Sequence, residues 1–245
     1  STLIDRYDPS LPLEEARTPP ASWYVDPRIL ELELQTTFAN TWQYACRLDQ
    51  VREPGEYVTL ELAGEPLLIV RGSDHVLRGF FNVCRHHAAA VMTEPAGCVK
   101  RLTCPYHGWT YTLEGALKAA PAFENVRNFD PAANGLIPVS TSTWENWVFV
   151  RIAPEGPTIE ESLGAEVVSQ VRGLELARLH WFDLRHYIFD CNWKVALEAF
   201  LEPYHVQGTH PQLIKYGDFY SFSKAFGLHG QTGFDSKTHR DENTA

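Results

Sequence analysis

The chain has 245 residues, enough for one large domain or two modest ones, and its 44% hydrophobic and 21% charged content is that of a folded globular protein rather than a disordered or fibrous one. A net charge of −10, with no Lys- or Arg-rich run interleaved with aromatic residues, excludes nucleic acid as an expected partner. Five cysteines, an odd number, argue against a disulfide framework; there is also no cationic leader and no run approaching about 18 apolar residues, so the expectation is a protein of a reducing, cytoplasmic compartment that is neither exported nor membrane-spanning.

Residues 1–39 read as an arm and a helix. Residues 1–22 are rich in Pro, Glu and Arg and have little intrinsic order, whereas Asp26-Pro27 opens a helix with the apolar stripe Ile29, Leu30, Leu32, Leu34 and Phe38. Residues 40–155 read as a small antiparallel β domain. Strands are expected at 42–47, 55–62, 66–71 and 76–81, separated by the turn signals Ala63-Gly64 and Gly72-Ser73-Asp74. A hairpin follows around Leu113-Glu114-Gly115, then a polar loop at 123–133, and strands at 135–141 and 147–152 close the sheet. Pro154-Glu155-Gly156-Pro157 marks a boundary. In residues 156–245 the spacing predicts a helix over 158–173, a long strand over 180–192, and a second helix from Asn192 through Leu201. The fold class is α+β.

Chemistry concentrates first between Cys84 and Trp109. Cys84-Arg85-His86 is followed by seventeen residues and then by Cys104-Pro105-Tyr106-His107-Gly108-Trp109. Two thiolates and two imidazoles can converge from two loop tips on one metal centre. A structural zinc site usually pairs Cys with Cys and His with His, whereas here each loop supplies one of each. A Rieske 2Fe–2S centre, with two His on one iron and two Cys on the other, suits mixed loops. Neutral imidazoles leave such a cluster less negative and easier to reduce, at roughly −150 to +300 mV. His87, beside His86, reads as a solvent-facing loop residue, and Cys46, Cys98 and Cys191 read as packing residues.

A second candidate centre lies in Glu202-Pro203-Tyr204-His205-Val206-Gln207-Gly208-Thr209-His210. A step of five positions from His205 to His210 does not stack the two on one helical face, so the helix is expected to loosen at Gly208 and turn both imidazoles to one point. Two His and one carboxylate on one face of an iron, with the other face open, is the arrangement of non-haem Fe(II) oxygenases. On residues alone a solvated helix face remains the rival reading for Glu198 and Glu202.

The pattern Cys84-x-His86 with Cys104-x-x-His107-Gly108-Trp109 resembles the Rieske signature. The stretch Asn192-Trp193-Lys194, Glu198, Glu202-x-Tyr204-His205-x4-His210 resembles the catalytic-domain motif of Rieske non-haem iron oxygenases, the α subunits of ring-hydroxylating oxygenases and related monooxygenases. The resemblance implies that Cys84, His86, Cys104 and His107 hold a 2Fe–2S cluster and that His205 and His210 hold a mononuclear non-haem Fe(II). It also implies that Glu202 bridges the two centres across a subunit boundary, in a ring of three α subunits. Two departures stand out: the bridging residue is Glu rather than Asp, which is more like members that oxidise quaternary amines, and Ala199 stands where an Asn is common. The run Gly135-Leu136-Ile137-Pro138-Val139 before Trp144 also resembles choline-oxidising members. The third iron ligand in the family is an Asp far downstream. Asp218, Asp235 and Asp241 have no matching context, so the expectation is a fragment of a longer subunit with that ligand beyond residue 245.

What the resemblance implies for function is the oxygenase component of a multicomponent system. A ferredoxin or flavin reductase would bring electrons from NADH or NADPH to activate O2 against a small organic substrate. The reaction expected first is hydroxylation of an aromatic or alicyclic carbon, as in aromatic hydrocarbon catabolism; the alternative is a monooxygenase or N-demethylase of a quaternary amine of the choline, betaine or carnitine type. Rivals of another class are a Rieske electron carrier without oxygenase activity and a zinc-stabilised binding module.

Overall fold

The computed structural model describes residues 4, 7–202, 204–216 and 218–235. The chain forms two compact units, one of residues Glu31–Ser162 and the other of Ser1–Leu30 together with Leu163–Ala245.

The first unit is built on ten strands: β1 (Gln43–Arg47), β2 (Glu56–Leu62), β3 (Glu65–Arg71), β4 (Leu77–Phe81), β5 (Ala96–Cys98), β6 (Leu102–Thr103), β7 (Thr110–Tyr111), β8 (Leu117–Ala119), β9 (Pro138–Trp144) and β10 (Trp147–Arg151). Seven of them form an antiparallel sheet in the order β1-β10-β9-β4-β3-β2-β5, and β6-β7-β8 form a small second sheet. Strand β3 lies deep in the larger sheet because its run Leu67-Leu68-Ile69-Val70 is apolar on both faces, and all four side chains are inaccessible to solvent. Alternate residues serve opposite faces. Leu68 and Val70, with Tyr57, join the core that holds Cys84, Cys104, Trp109 and Tyr111, while Leu67 and Ile69, with Val58, join the one that holds Cys46, Val139, Val148 and Val150. At about 1.5–3 kcal/mol for each fully buried aliphatic side chain, these four residues anchor both layers at once. The loops that carry the candidate ligands thus rest on one face of a sheet whose other face has its own core.

The unit closes on Arg151, a buried cation. Its guanidinium lies 4.6 Å from the Trp42 ring centroid and donates to the carbonyls of Ala153 and Pro157, so the charge is satisfied without a carboxylate. Thr158 and Glu161 then form a reciprocal capping box that starts the Ile159–Arg172 helix. The sequence predicts that helix unbroken. It is interrupted at Gly164, whose φ of 73° no helix accommodates.

The helix expected from Pro27 to Phe38 is also divided, into an α segment Pro27–Glu33 and a π turn Leu34–Phe38. Thr36 Oγ1 donates to the Leu32 carbonyl at 2.6 Å, a side-chain bond that competes with the backbone ladder there.

In the second unit, Asn192 caps the Trp193–Glu198 helix, its side-chain oxygen accepting from the Lys194 amide at 3.0 Å. Asn192 also donates to the Tyr24 carbonyl, and Tyr24 Oη donates to Glu198 at 2.7 Å, so the amino-terminal Ser22–Val25 turn is tied to this helix. A hairpin of β11 (Asp218–Phe226) and β12 (His229–Asp235) follows. The strand expected over 180–192 does not form. Among the described residues no strand pairs with this segment, and Phe182 and Ile188 are 95% and 99% exposed. An alternating pattern selects a face only when a neighbouring strand satisfies the backbone.

Of the three cysteines expected to pack, only Cys46 is buried, and burial pushes its thiol up to about 12. Cys98 and Cys191 are exposed, Cys98 because it ends the edge strand β5 and Cys191 because it lies in the unpaired segment. No helix among the described residues is long and apolar enough to cross a membrane.

Candidate metal centres

The two ligand loops share one backbone design. The Cys84 amide donates to the Ala89 carbonyl and the Ala88 amide to the Cys84 carbonyl; likewise the Cys104 amide donates to Trp109 and the Gly108 amide to Cys104. The fifth position of each loop is left-handed, at φ 56° for Ala88 and 72° for Gly108. Glycine adopts this conformation freely, whereas an L-residue pays about 1–2 kcal/mol. Ala88→Gly is therefore expected to stabilise the protein by roughly 0.5–1 kcal/mol after the added freedom of the unfolded chain is subtracted. A denaturant titration reads this directly, and a midpoint that falls would show that the Ala88 methyl has a compensating contact.

These loops bring the predicted residues together. Cys84 and Cys104 are buried in one core, and the rings of His86 and His107 lie 4.7 Å apart at their centroids. His86 is half-buried and His107 exposed, so the thiols point inward and the imidazoles outward. His87 is exposed, as its sequence position suggests. Burial, reinforced by His87 and His107, holds His86 below the ordinary imidazole range and keeps it neutral, the form that binds metal. Burial and the neighbouring Cys84 raise the Cys104 thiol.

The donor set fits a 2Fe–2S cluster on a further observation. His86 Nδ1 is buried without any hydrogen-bond partner, a cost that an iron bond removes. Among the described residues no three His, Cys, Asp or Glu side chains gather around a single ion; a cluster with two thiolates on one iron and two imidazoles on the other asks only for pairs.

Tyr111 is a residue that the sequence does not single out. Its fully buried hydroxyl accepts the Arg85 amide at 3.0 Å and lies 3.3 Å from Cys84 Sγ. With its lone pair engaged by Arg85, the hydroxyl proton is the one available for the sulfur. Burial first, then Cys84, raises the phenol above its ordinary range and keeps that proton in place. Hydrogen bonds to cluster sulfurs raise the potential, so Tyr111→Phe is expected to lower the midpoint by about 60 mV, a tenfold change for a one-electron couple. A redox titration followed by optical or paramagnetic resonance measures it.

At the second candidate centre, His205 precedes the single-turn helix Val206–Thr209 and His210 ends it. The break comes at His210 (φ −125°, ψ 54°), not at Gly208 as expected, because the residue before Pro211 is sterically kept out of the helical region. The two rings stand 5.4 Å apart and 76° from parallel, a span that imidazoles sharing one ion at about 2.1 Å can adopt. Glu202 accepts the His205 amide at 3.0 Å, and its Oε1 lies 2.7 Å from His205 Nδ1. That contact with His205, above all, holds the Glu202 carboxyl below its usual range. The arrangement leaves His205 Nε2 for a metal, with the carboxylate fixing the tautomer. The side chains of Asp218 and Asp235, and all of Asp241, lie outside the described residues.

Two family models match the chain: the Rieske [2Fe-2S] domain over residues 41–130 and the ring hydroxylating alpha subunit (catalytic domain) over residues 174–244. The chain belongs to the α subunits of the Rieske non-haem iron oxygenases, whose cofactors are a 2Fe–2S cluster and a mononuclear iron. It is 33% identical to the chloroplastic choline monooxygenase of Arabidopsis thaliana over 91% of this chain and 55% of that protein, and 35% identical to the carnitine monooxygenase oxygenase subunit of Escherichia coli (strain K12) over 81% and 53%. The chain thus spans about half the length of the curated relatives it matches. Among solved structures it is similar to a quaternary ammonium Rieske monooxygenase in complex with L-carnitine (TM-score 0.81, 26% identity, 89% of this chain and 62% of that one). It is also similar to naphthalene 1,2-dioxygenase with indole bound in the active site (TM-score 0.69, 25% identity, 78% and 44%).

Proposed function

We propose that this chain is part of the oxygenase component of a Rieske system that oxidises a quaternary amine. In this reading Cys84 and Cys104 hold one iron of the cluster, His86 and His107 the other, and His205 with His210 the mononuclear iron. The observation that carries it is the contact of Glu202 with His205 Nδ1, three residues before the first ligand of the pair. When bound, the cluster stores an electron and the mononuclear iron supplies dioxygen chemistry. The chain's own residues hold and orient. Glu202 keeps the Nδ1 proton of His205 in place, and its side chain, partly open to solvent, is free to accept a cluster histidine of a neighbouring subunit in a ring of three. His107 is exposed and a cleft of about 440 Å³ opens beside His86 and His87, so the imidazole edge lies within reach of a ferredoxin or flavin reductase fed by NADH or NADPH.

Glu at position 202 and the choline and carnitine monooxygenases among the relatives favour the quaternary amine over the aromatic carbon expected first from sequence. The likeness to naphthalene 1,2-dioxygenase keeps aromatic hydroxylation as a second reading. Oxygen uptake coupled to substrate loss, measured with choline, glycine betaine, carnitine and naphthalene in the presence of a competent reductase, separates them. Coupled turnover of a quaternary amine is expected; coupled turnover of naphthalene alone overturns the substrate class, and uptake with none of them, from protein carrying both metals, overturns all four candidates.

A further inference from the structure

Among the described residues, two buried side-chain polar atoms lack a hydrogen-bond partner: His86 Nδ1 and Trp109 Nε1. The rings that carry them lie face to face, 4.9 Å between centroids and 3° from parallel. The imidazole nitrogen has its explanation in the cluster. Trp109 has no ligand role, and a parallel stack this close needs an account of its own.

Trp109 is 2% exposed and belongs to the core that holds Cys84, Cys104 and Tyr111. Phe123 and Phe129 meet it nearly edge-on, at 5.2 and 5.7 Å, and pack on each other at 4.8 Å, so the indole plane is locked. Phe123 also meets His86 edge-on at 5.8 Å. His87 and His107 meet the His86 ring edge-on as well, at 4.1 and 4.7 Å, so Trp109 is the one parallel face among the four rings around it, whereas His107 rests against the exposed ring of Tyr106 at 3.8 Å. Ligand imidazoles are commonly oriented by a hydrogen bond to their second nitrogen. At His86 the buried indole face is placed where it can do that work.

We propose that Trp109 is a positioning residue for His86: its indole face sets the imidazole plane and with it the direction of Nδ1. This rests on the reading of His86 as a cluster ligand, and the wild-type protein tests that reading separately through its iron and sulfide content and the resonance of its reduced cluster. The inference is tested by the g-values and midpoint potential of three variants that retain iron and sulfide. Trp109→Phe keeps an aromatic face and removes the N–H; Trp109→Leu removes the face; Phe129→Leu opens the same core without touching His86. Shifted g-values and a shifted potential are expected in Trp109→Leu alone. Should that variant lose its iron, Trp109→Met, whose unbranched side chain adapts better to the space the indole leaves, carries the same comparison. Wild-type values in the aliphatic variant overturn the proposal. An equal shift in Trp109→Phe overturns it in favour of the N–H, and an equal shift in Phe129→Leu overturns it in favour of general packing.

Discussion

Glu202→Gln is expected to lower the rate of product formation about 10- to 100-fold, the range found when a partner that orients a metal-bound histidine is removed, while reduction of the cluster by a chemical reductant proceeds at the wild-type rate. The amide can still accept the His205 backbone N–H, so the turn that carries His205 keeps its local bond. What is lost is the charge and the second accepting oxygen, the one that faces His205 Nδ1. The carboxylate sits 2.7 Å from His205 Nδ1 and is held below its usual range by that contact, so it is ionised at neutral pH and makes a charge-assisted hydrogen bond with the ring. Steady-state product formation, stopped-flow reduction of the cluster and iron content together read the result. Normal turnover with both metals in place would remove Glu202 from the reaction; loss of the mononuclear iron would reduce its role to holding that metal.

How the sequence disclosed the molecule depended on whether a feature is local. The ligand loops were legible because their chemistry lies within two runs of six residues, and the hairpins because turn residues such as Ala63-Gly64 punctuate apolar stretches. The pre-proline bend at His210 was equally available, since Pro211 stands beside it, but Gly208 drew the expectation instead. The segment 180–192 misled because its alternation states a preference for one face and carries no information about whether a neighbouring strand exists to pair with it.

Tyr111 and Trp109 were hidden for a different reason. Each has an unremarkable identity for a β-rich core, and each matters through a partner some twenty-five residues away, Cys84 in one case and His86 in the other. Arg151 was hidden likewise, because nothing in the sequence says that a cation before Ile152 turns inward to two carbonyls.

Replacing Asn82 should cost the fold heavily. It follows β4, is 4% exposed, and its side chain makes three bonds to one short segment: Oδ1 accepts from the amides of Val91 at 3.1 Å and Met92 at 2.9 Å, and Nδ2 donates to the Met92 carbonyl at 2.8 Å. Residues 82–92 are thereby closed into a loop that contains Cys84 and His86. Asn82→Leu keeps the branched shape, though with greater bulk, and leaves two amides and a carbonyl without partners. At about 1–3 kcal/mol for each buried group left unpaired, less what water recovers at the half-buried Met92, the loss should be about 3–5 kcal/mol. Asn82→Asp keeps both accepted bonds but loses the donated one and sets an ion beside the Met92 carbonyl, so it should fall between the wild type and Asn82→Leu. Denaturant unfolding and iron content report the two consequences separately. If the loop is what Asn82 holds, iron is lost in proportion to the unfolding free energy across the pair, and full iron in Asn82→Leu at wild-type stability would mean that the metal-ligand loop is held closed by its own backbone bonds and the cluster alone.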